Sequence, residues 1–526
     1  RVALRFQAVA DTPMRFAIPA WTPGYYQILH FEQGIENVRA EDEAGQPVPV
    51  THPEARTWEV APRRAGSLLL TYDVRASDTG LGFFGSVLDG RERQGYINGA
   101  SAFLYPVGQT DRPVSLTLAL PAGWKIASAL SPQTLTARAQ QPVTFQARDY
   151  DELIDSPLQI GQFDSAEFAV SGVKFRCLFV GSSGVMKSRL VKALGRIVKA
   201  AFDVFSPPGG KPPPFSHYLF VFHSGGPGFY GGLEHRNSTV IHMGDKLGDG
   251  SADGLLTLAA HEFFHAWNVK RLRPVGLGPF DYTQPVRSGS LWFAEGITDY
   301  YAQLLPLRAG LRDRAWFLKV MAGRIAELAA TPARARGSLE EASRKTWEGQ
   351  SEGYDGLNYY LKGSLVGFYF DLRLRALTGG AKGLDDVMRE LDRQYGQRNL
   401  GYPEEALRNI LNAVAGSDLT EEYARYVRGT EEIAWTEALA QAGLTLQDDP
   451  AAMGDAADPE TPPRLVALPD SLLSDETRRV REAFFQTTRA AQAHLNLRAD
   501  SSVPAAFLLP SDLWLPARLA ASGAGP

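Results

Sequence analysis

Along this chain the alternation of apolar and polar positions changes rhythm three times. From Arg1 to about Ser165 apolar residues alternate singly or form β-branched runs broken by Pro, Gly and Asp, as in Ser67–Tyr72 and Val114–Leu120. A period of two puts one face on a core and the other in water. The stretch therefore predicts short antiparallel strands packed as a sandwich-like domain over residues 1–165. The rhythm then becomes mixed. Strands are expected in Glu167–Val180, and a helix over Val185–Phe205, where apolar residues recur every three or four positions before the Pro/Gly-rich loop Ser206–Pro214. A buried strand at His217–His223 and a second at Ser238–Met243 are candidates to pair across the glycine-laden loop Ser224–Gly232.

From Asp253 onward the pattern is helical. The expected helices are Asp253–Val269, Phe293–Leu305, Arg314–Ala329, Leu357–Leu377, Gly383–Tyr395, Pro403–Ala415 and Glu421–Arg428. The first of these complete a second domain over 166–330, and the rest form a helical bundle over 331–446. After Leu446 the third change comes. Asp448–Pro469 is rich in Ala, Asp and Pro and reads as a linker, Asp475–Asn496 as an amphipathic helix, and the Pro/Ala-rich end is left unassigned. The fold class expected is multidomain α+β with a linker and tail over 447–526.

Composition narrows the function. With 54 Lys+Arg against 59 Asp+Glu over 526 residues, the net charge of −5 lacks the basic footprint of a nucleic-acid binder. The greasiest windows, Leu255–Trp267 and Leu365–Leu374, fall short of the roughly 20 apolar residues that span a bilayer. The single cysteine, Cys177, excludes an internal disulfide, a CxxC zinc knuckle and an iron–sulfur site. The start at Arg1, without Met, favours an exported, periplasmic or secreted protein over a cytoplasmic one. Nothing in the composition assigns an oligomeric state.

The chemistry concentrates in two of the nine histidines. His261-Glu262-Phe-Phe-His265 lies inside a helical pattern that is apolar on nearly every side. Positions i and i+4 share a helix face, so both imidazoles reach one ion at about 2.0–2.1 Å. Glu262 projects roughly 100° away and meets a water on that ion instead of the ion. The bland alternative is a buried helix with two satisfied histidines. A hydrolytic zinc site needs a third protein ligand and one open position. Glu295, on the second helical pattern, supplies that ligand, and Asp299 one turn later is placed to orient a ligand histidine, His261 first. Taken alone, Glu295 and Asp299 also suit a helix N-terminus.

At this point the residues resemble a family. Pro19-Ala-Trp-Thr-Pro-Gly24, Asp155-Ser-Pro-Leu158, Gly231-Gly-Leu-Glu-His235, Trp267-Asn-Val-Lys-Arg271, Trp292-Phe-Ala-Glu295 and Tyr360-Leu-Lys-Gly363 accompany the two-histidine helix in order, over about residues 15–445. Together they resemble the glycyl aminopeptidase family of gluzincin metallopeptidases, relatives of thermolysin. The resemblance implies a thermolysin-like catalytic domain and one Zn²⁺ held by His261, His265 and Glu295, with Glu262 as general base. Its substrates would be peptides with a free N-terminus, preferably beginning with Gly or Ala. It implies an oxyanion donor at Tyr360, the match to a Tyr-x-Lys-Gly helix; Tyr359 and Tyr354 stand close by, and only the resemblance separates the three.

An aminopeptidase also needs a fixed carboxylate for the substrate ammonium. Glu234 is the candidate, with Gly231 and Gly232 letting peptide backbone approach. Larger relatives read Gly-x-Met-Glu-Asn here, whereas this chain has Leu233 and His235. His235 is a possible substrate contact; it, His217, His223 and His242 lack ligand spacing and read as structural. Two alternatives stand: a thermolysin-like endopeptidase in which Glu234 is structural, and a non-catalytic peptide-binding protein, against which the intact Glu262 speaks. Many relatives continue into a PDZ domain. Ala442-Gly-Leu-Thr-Leu446 resembles its opening, but no carboxylate-binding loop follows, so no functional PDZ domain is expected.

Overall fold

A computed structural model describes residues 1–77, 82–131, 134–136, 141–181, 187–207, 210–224, 230–243, 252–349, 353–354, 356–447 and 463–486. The protein is α+β, with antiparallel sheets first and helices after. In the first part Val2–Ala8, Gly66–Val74, Ile35–Glu41 and Pro47–Val48 form one sheet, and Tyr105–Pro106, Met14–Ala17, Thr57–Val60 and Val50–Glu54 a second. A third, five-stranded sheet runs from residues 134–136 through Lys125–Ala127, Leu158–Gly161 and Gln94–Ile97 to Val87–Asp89. Val114–Leu118 pairs with Val143–Ala147. The alternation in Gly66–Val74 buries Leu68, Leu70 and Tyr72 in the core of this region, as period two requires.

Next comes a mixed sheet in the order Asp164–Val170, Val173–Val180, His217–His223, Ser238–Met243, Tyr230–Glu234. Ser171 and Gly172, both with positive φ, turn the first two strands into a tight hairpin. His217–His223 lies parallel to both neighbours. Its interior residues are buried on both faces, the usual state of a parallel strand. The sheet is thus a partition. Leu178, Val180, Leu219, Val221, Leu233 and Val240 pack into the core of the first region, while Tyr218, Phe220, Phe222 and Ile241 pack against helices. Because the first region rests directly on the sheet, its loops reach the site built at the sheet's edge.

Several expectations are corrected. Tyr230–Glu234 is an edge strand, antiparallel to Ser238–Met243, so Gly231 and Gly232 lie in a strand and not in a loop; residues 225–229 lie outside the described residues. The histidine helix is Ala252–Phe264 and stops short of Val269, because the chain turns at Trp267–Asn268. The next helix begins as a π-helix, Trp292–Ile297, and continues as Thr298–Arg308. Arg314–Ala329 spans the expected residues, followed by an unforeseen short helix, Leu339–Arg344. Tyr359–Leu377, Leu384–Gln394 and Glu405–Ala415 follow close to expectation, and where Glu421–Arg428 was expected a short helix, Thr420–Tyr423, passes into a π-helix, Ala424–Arg428.

A further unforeseen helix, Trp435–Ala440, leads to a strand pair, Leu444–Gln447 with Arg464–Ala467. The end of the expected linker is therefore a strand, held by pairing that composition does not reveal. Asp475–Phe484 is helical, and Phe484 packs on Phe368 of Tyr359–Leu377. The helix expected to run to Asn496 ends at Phe484, with Phe485 as its C-cap, and residues 487–526, the tail among them, lie outside the described residues. Among the described residues no helix is long and apolar enough to cross a membrane.

Candidate metal centre

The second half of the histidine helix is buried, with Ala259, Ala260, Glu262, Phe263 and Phe264 all removed from solvent. Phe263 meets Tyr218 and Phe220 of the sheet, and Trp267 stacks flat on Phe205 with ring centroids 4.6 Å apart. Although the helix ends at Phe264, the His265 amide still donates to the His261 carbonyl at 3.3 Å, which keeps both side chains on one face. Nε2 of His261 and Nε2 of His265 are 2.9 Å apart. Oε2 of Glu295 lies 3.6 Å from the first and 3.2 Å from the second. Among the described residues this is the only group of three His, Cys, Asp or Glu side chains placed to hold a metal.

Asn268 fixes this triangle. Its carbonyl accepts from Nδ1 of His265, which turns Nε2 toward Glu295. Its Nδ2 donates to the carbonyls of Phe293 and Ala294 at 2.8 and 3.1 Å, on the π-wound turn that carries Glu295. One side chain thereby sets the spacing between two elements. Asp299 is placed less tightly than expected. Its Oδ1 is 3.9 Å from Nδ1 of His261, too long for a hydrogen bond, and its Oδ2 pairs with Arg324.

Burial governs the charges. It pushes His261 down to about 4, against the pull of Glu295. Burial also opposes charge on His265, but the Glu295 carboxylate outweighs it and raises His265 to about 9. Burial and the neighbouring Glu234 and Glu295 carboxylates raise Glu262, with His265 opposing. Glu262 stands beside the triangle and is not part of it. Its Oε2 has no hydrogen-bond partner among the described residues. Its carboxylate lies so close to the edge strand that a Cβ on residue 232 would come within 2.2 Å, so only glycine fits at Gly232. Gly231, its neighbour, pairs with His242.

Glu234 ends the same strand and is 4% exposed. Oε1 has no hydrogen-bond partner among the described residues and lies 3.9 Å from Nζ of Lys270. Lys270 also contacts Asp155 at 3.0 Å, and Asp155 in turn accepts from the Arg236 amide and meets Nδ1 of His235. The motif residues Asp155, His235 and Lys270 thus form one buried network behind Glu234. His235 faces Asp155 with 2% exposure. A cavity of about 330 Å³ opens from Glu234, Lys270 and Tyr26 toward Asp149 and Glu152.

Of the three tyrosines, the ring of Tyr360 lies nearly parallel to the His261 ring, 19° apart with centroids at 6.0 Å. Tyr359 is fully buried with its hydroxyl 3.4 Å from Thr346. The side chain of Tyr354 lies outside the described residues. Close packing of Gly363 on Gly296 brings Tyr360 there: a Cβ on residue 296 would be 2.6 Å from the Gly363 Cα.

The sequence reading missed Tyr26, whose hydroxyl is 3.4 Å from Oε1 of Glu295, and Gly24, where a Cβ would meet the Glu234 carboxylate at 2.7 Å. Gly24 closes the motif Pro19-Ala-Trp-Thr-Pro-Gly24 and Tyr26 stands two residues beyond it, so that motif is the one signal that pointed to them.

Comparison with known proteins places this arrangement. Residues 1–162 match the Peptidase M61 N-terminal domain, and residues 254–366 match M61 glycyl aminopeptidase. Among solved structures the chain is similar to an aminopeptidase N family protein from Idiomarina loihiensis, with 28% identity and a TM-score of 0.77 over 85% of this chain and 76% of that one. It shares its fold with the M1 zinc metallopeptidase from Deinococcus radiodurans, at 18% identity and a TM-score of 0.51 over 82% of this chain and 90% of that one. No curated protein sequence matches significantly.

Proposed function

Because the chain belongs to the M61 glycyl aminopeptidase family of metallopeptidases, we propose that it is a zinc-dependent aminopeptidase that removes a small first residue, Gly or Ala, from peptides with a free N-terminus. The observation that carries this reading is the three-donor triangle with a buried, partly unpartnered carboxylate, Glu234, on the strand beside it. Two nitrogens and one oxygen at about 2.0–2.1 Å from a tetrahedral ion lie about 3.3 Å from one another. The separations of 2.9, 3.2 and 3.6 Å bracket that value.

Bound zinc supplies Lewis acidity to the scissile carbonyl and to the attacking water. The protein supplies the rest. Glu262, desolvated and held against Gly232, takes the proton of the attacking water on its carboxylate and returns it to the leaving amine. The Tyr360 hydroxyl donates to the oxygen on which negative charge develops. Glu234 accepts the substrate ammonium, which sets the cut one residue from the end. Tyr230–Glu234 terminates the sheet order, so its outer edge offers main-chain groups to an extended peptide. The backbone of Gly24 pressed against Glu234 crowds the anchor, which favours a small first side chain.

The test is hydrolysis of glycyl, alanyl, leucyl and N-acetylglycyl anilides and of an internally cleavable blocked peptide, with chelator and after zinc is restored. Glycyl and alanyl substrates are expected to be cut, with chelator abolishing and zinc restoring turnover. Chelator-indifferent turnover would remove the zinc reading. Cleavage of the blocked peptide as fast as of free-amine substrates would make Glu234 structural and the enzyme an endopeptidase.

A further inference from the structure

We propose that Tyr26, contributed by the N-terminal region, is a positioning residue of the metal centre that holds one oxygen of Glu295 so that only the other faces the ion. The inference rests on the reading of His261, His265 and Glu295 as zinc ligands.

The two oxygens of Glu295 are divided between partners. Oε2 faces both imidazoles at 3.6 and 3.2 Å, whereas Oε1 faces the Tyr26 hydroxyl at 3.4 Å across 269 residues of chain. That separation is long for a hydroxyl–carboxylate bond, as such bonds often are before a catalytic centre is fully assembled. Tyr26 is 2% exposed, and among the described residues the Glu295 carboxylate is the acceptor its hydroxyl meets. A buried phenol is hydrogen-bonded as a rule, and the carboxylate beside it is the charged acceptor for its proton.

The segment bearing Tyr26 is not free to move away. The Ala20 amide donates to the Tyr282 carbonyl at 2.8 Å, and Nε1 of Trp21 donates to the Asp281 carbonyl at 3.0 Å. Trp21 and Tyr26 both set their rings edge-on to Trp347, at 5.3 and 6.1 Å. The N-terminal region is therefore clamped onto the helical half just where it reaches Glu295.

The chemical consequence concerns ligand count. A carboxylate binds a metal through one oxygen or two, and a hydrolytic site needs one coordination position open for water and substrate. A donor on Oε1 lowers its availability to the ion, so Glu295 contributes Oε2 alone. Partners of this kind beyond the ligand shell typically alter metal affinity about 10–100-fold.

The experiment compares full-length wild type, Tyr26→Phe and Tyr25→Phe. The Phe at 26 keeps the ring against Trp347 and loses only the hydroxyl. Tyr25→Phe removes a hydroxyl from the same segment that bonds Gln27 at 3.0 Å. Zinc affinity is read by chelator competition, the visible spectrum is recorded with cobalt(II) as the metal, and kcat and KM are measured separately. Tyr26→Phe is expected to bind zinc about 10–100-fold more weakly, to change the cobalt spectrum toward a higher coordination number, and to lower kcat more than it alters KM. Tyr25→Phe should match wild type in zinc affinity and spectrum. Wild-type affinity and an unchanged cobalt spectrum in Tyr26→Phe would overturn the proposal. Equal losses in both variants would also overturn it, since the segment as a whole would then be responsible. A wild type that binds no zinc would overturn the centre itself, a failure distinct from either of these.

Discussion

Gly296→Ala probes how the centre is spaced. Gly296 follows Glu295 on the π-wound turn, and Gly363 follows Tyr360 by three residues on the facing helix. A Cβ at 296 would lie 2.6 Å from the Gly363 Cα and 2.8 Å from both its carbonyl carbon and the Tyr359 oxygen. Ordinary carbon contacts sit at about 3.5–4.0 Å, so the two helices must separate by roughly 1 Å. All three obstacles are backbone atoms, which no rotamer change relieves. Overpacking of this kind costs about 1–3 kcal/mol, whereas Ala gains up to about 1 kcal/mol over Gly in a helix. A net loss of about 0–2 kcal/mol is expected, against the gain of the control.

Gly323→Ala is the control, since nothing lies within 4 Å of its would-be Cβ. It should gain about 0.5–1 kcal/mol. The comparison is read from urea midpoints followed by tryptophan fluorescence. Separation of the helices also moves Tyr360 from His261, and a 1 Å misplacement costs about 100-fold in rate. A Gly296→Ala protein as stable as the Gly323→Ala control, with wild-type kcat on a glycyl anilide, would refute the steric argument.

Other changes test single roles. Glu262→Gln should keep stoichiometric zinc yet lose about 10²–10⁴-fold in kcat; loss of zinc in parallel would make Glu262 structural. Tyr360→Phe should cost about 10²–10³-fold in kcat with little change in KM, and equal effects from Tyr359→Phe would leave the donor unassigned to Tyr360. Glu234→Ala should lower kcat/KM for free-amine substrates about 10–100-fold, the worth of a charged hydrogen bond, while sparing N-acetylated ones; equal losses on both would remove the anchor role. Lys270→Met should destabilise by about 3–5 kcal/mol by leaving Asp155 and Glu234 buried without their cation.

The Lys270→Met effect carries a pH signature. Burial opposes the charge on Asp155, but Lys270 and His235 outweigh it and hold its pKa below the ordinary value of about 3.9. A carboxyl depressed in the folded state stabilises above that ordinary value and loses its contribution as pH falls toward the folded value. Without Lys270 the acid-unfolding midpoint should therefore move to higher pH, and an unmoved midpoint would contradict the pairing.

Some of this protein was legible in its residues alone because the relevant physics is local. His261 and His265 share a face by helix geometry, whatever the surroundings, and Arg314–Ala329 declares itself by its period. The strands His217–His223 and Ser238–Met243 were visible as apolar runs. Other elements were hidden because their cause lies far along the chain. Gly231 and Gly232 read as a loop, and only the Glu262 carboxylate pressing on residue 232 explains a glycine at that place in a strand. The π-wound turn at Glu295 goes with Asn268 taking the Phe293 and Ala294 carbonyls, and Arg464–Ala467 is a strand because Leu444–Gln447 lies beside it. The pairing of Lys270 with Asp155 and of Tyr26 with Glu295 depends on a sheet that shares its two faces between two cores. Sequence thus determined the ligand types and their local spacing, and tertiary structure decided which distant side chains surround them, because burial and hydrogen bonding between remote segments leave no period in the chain.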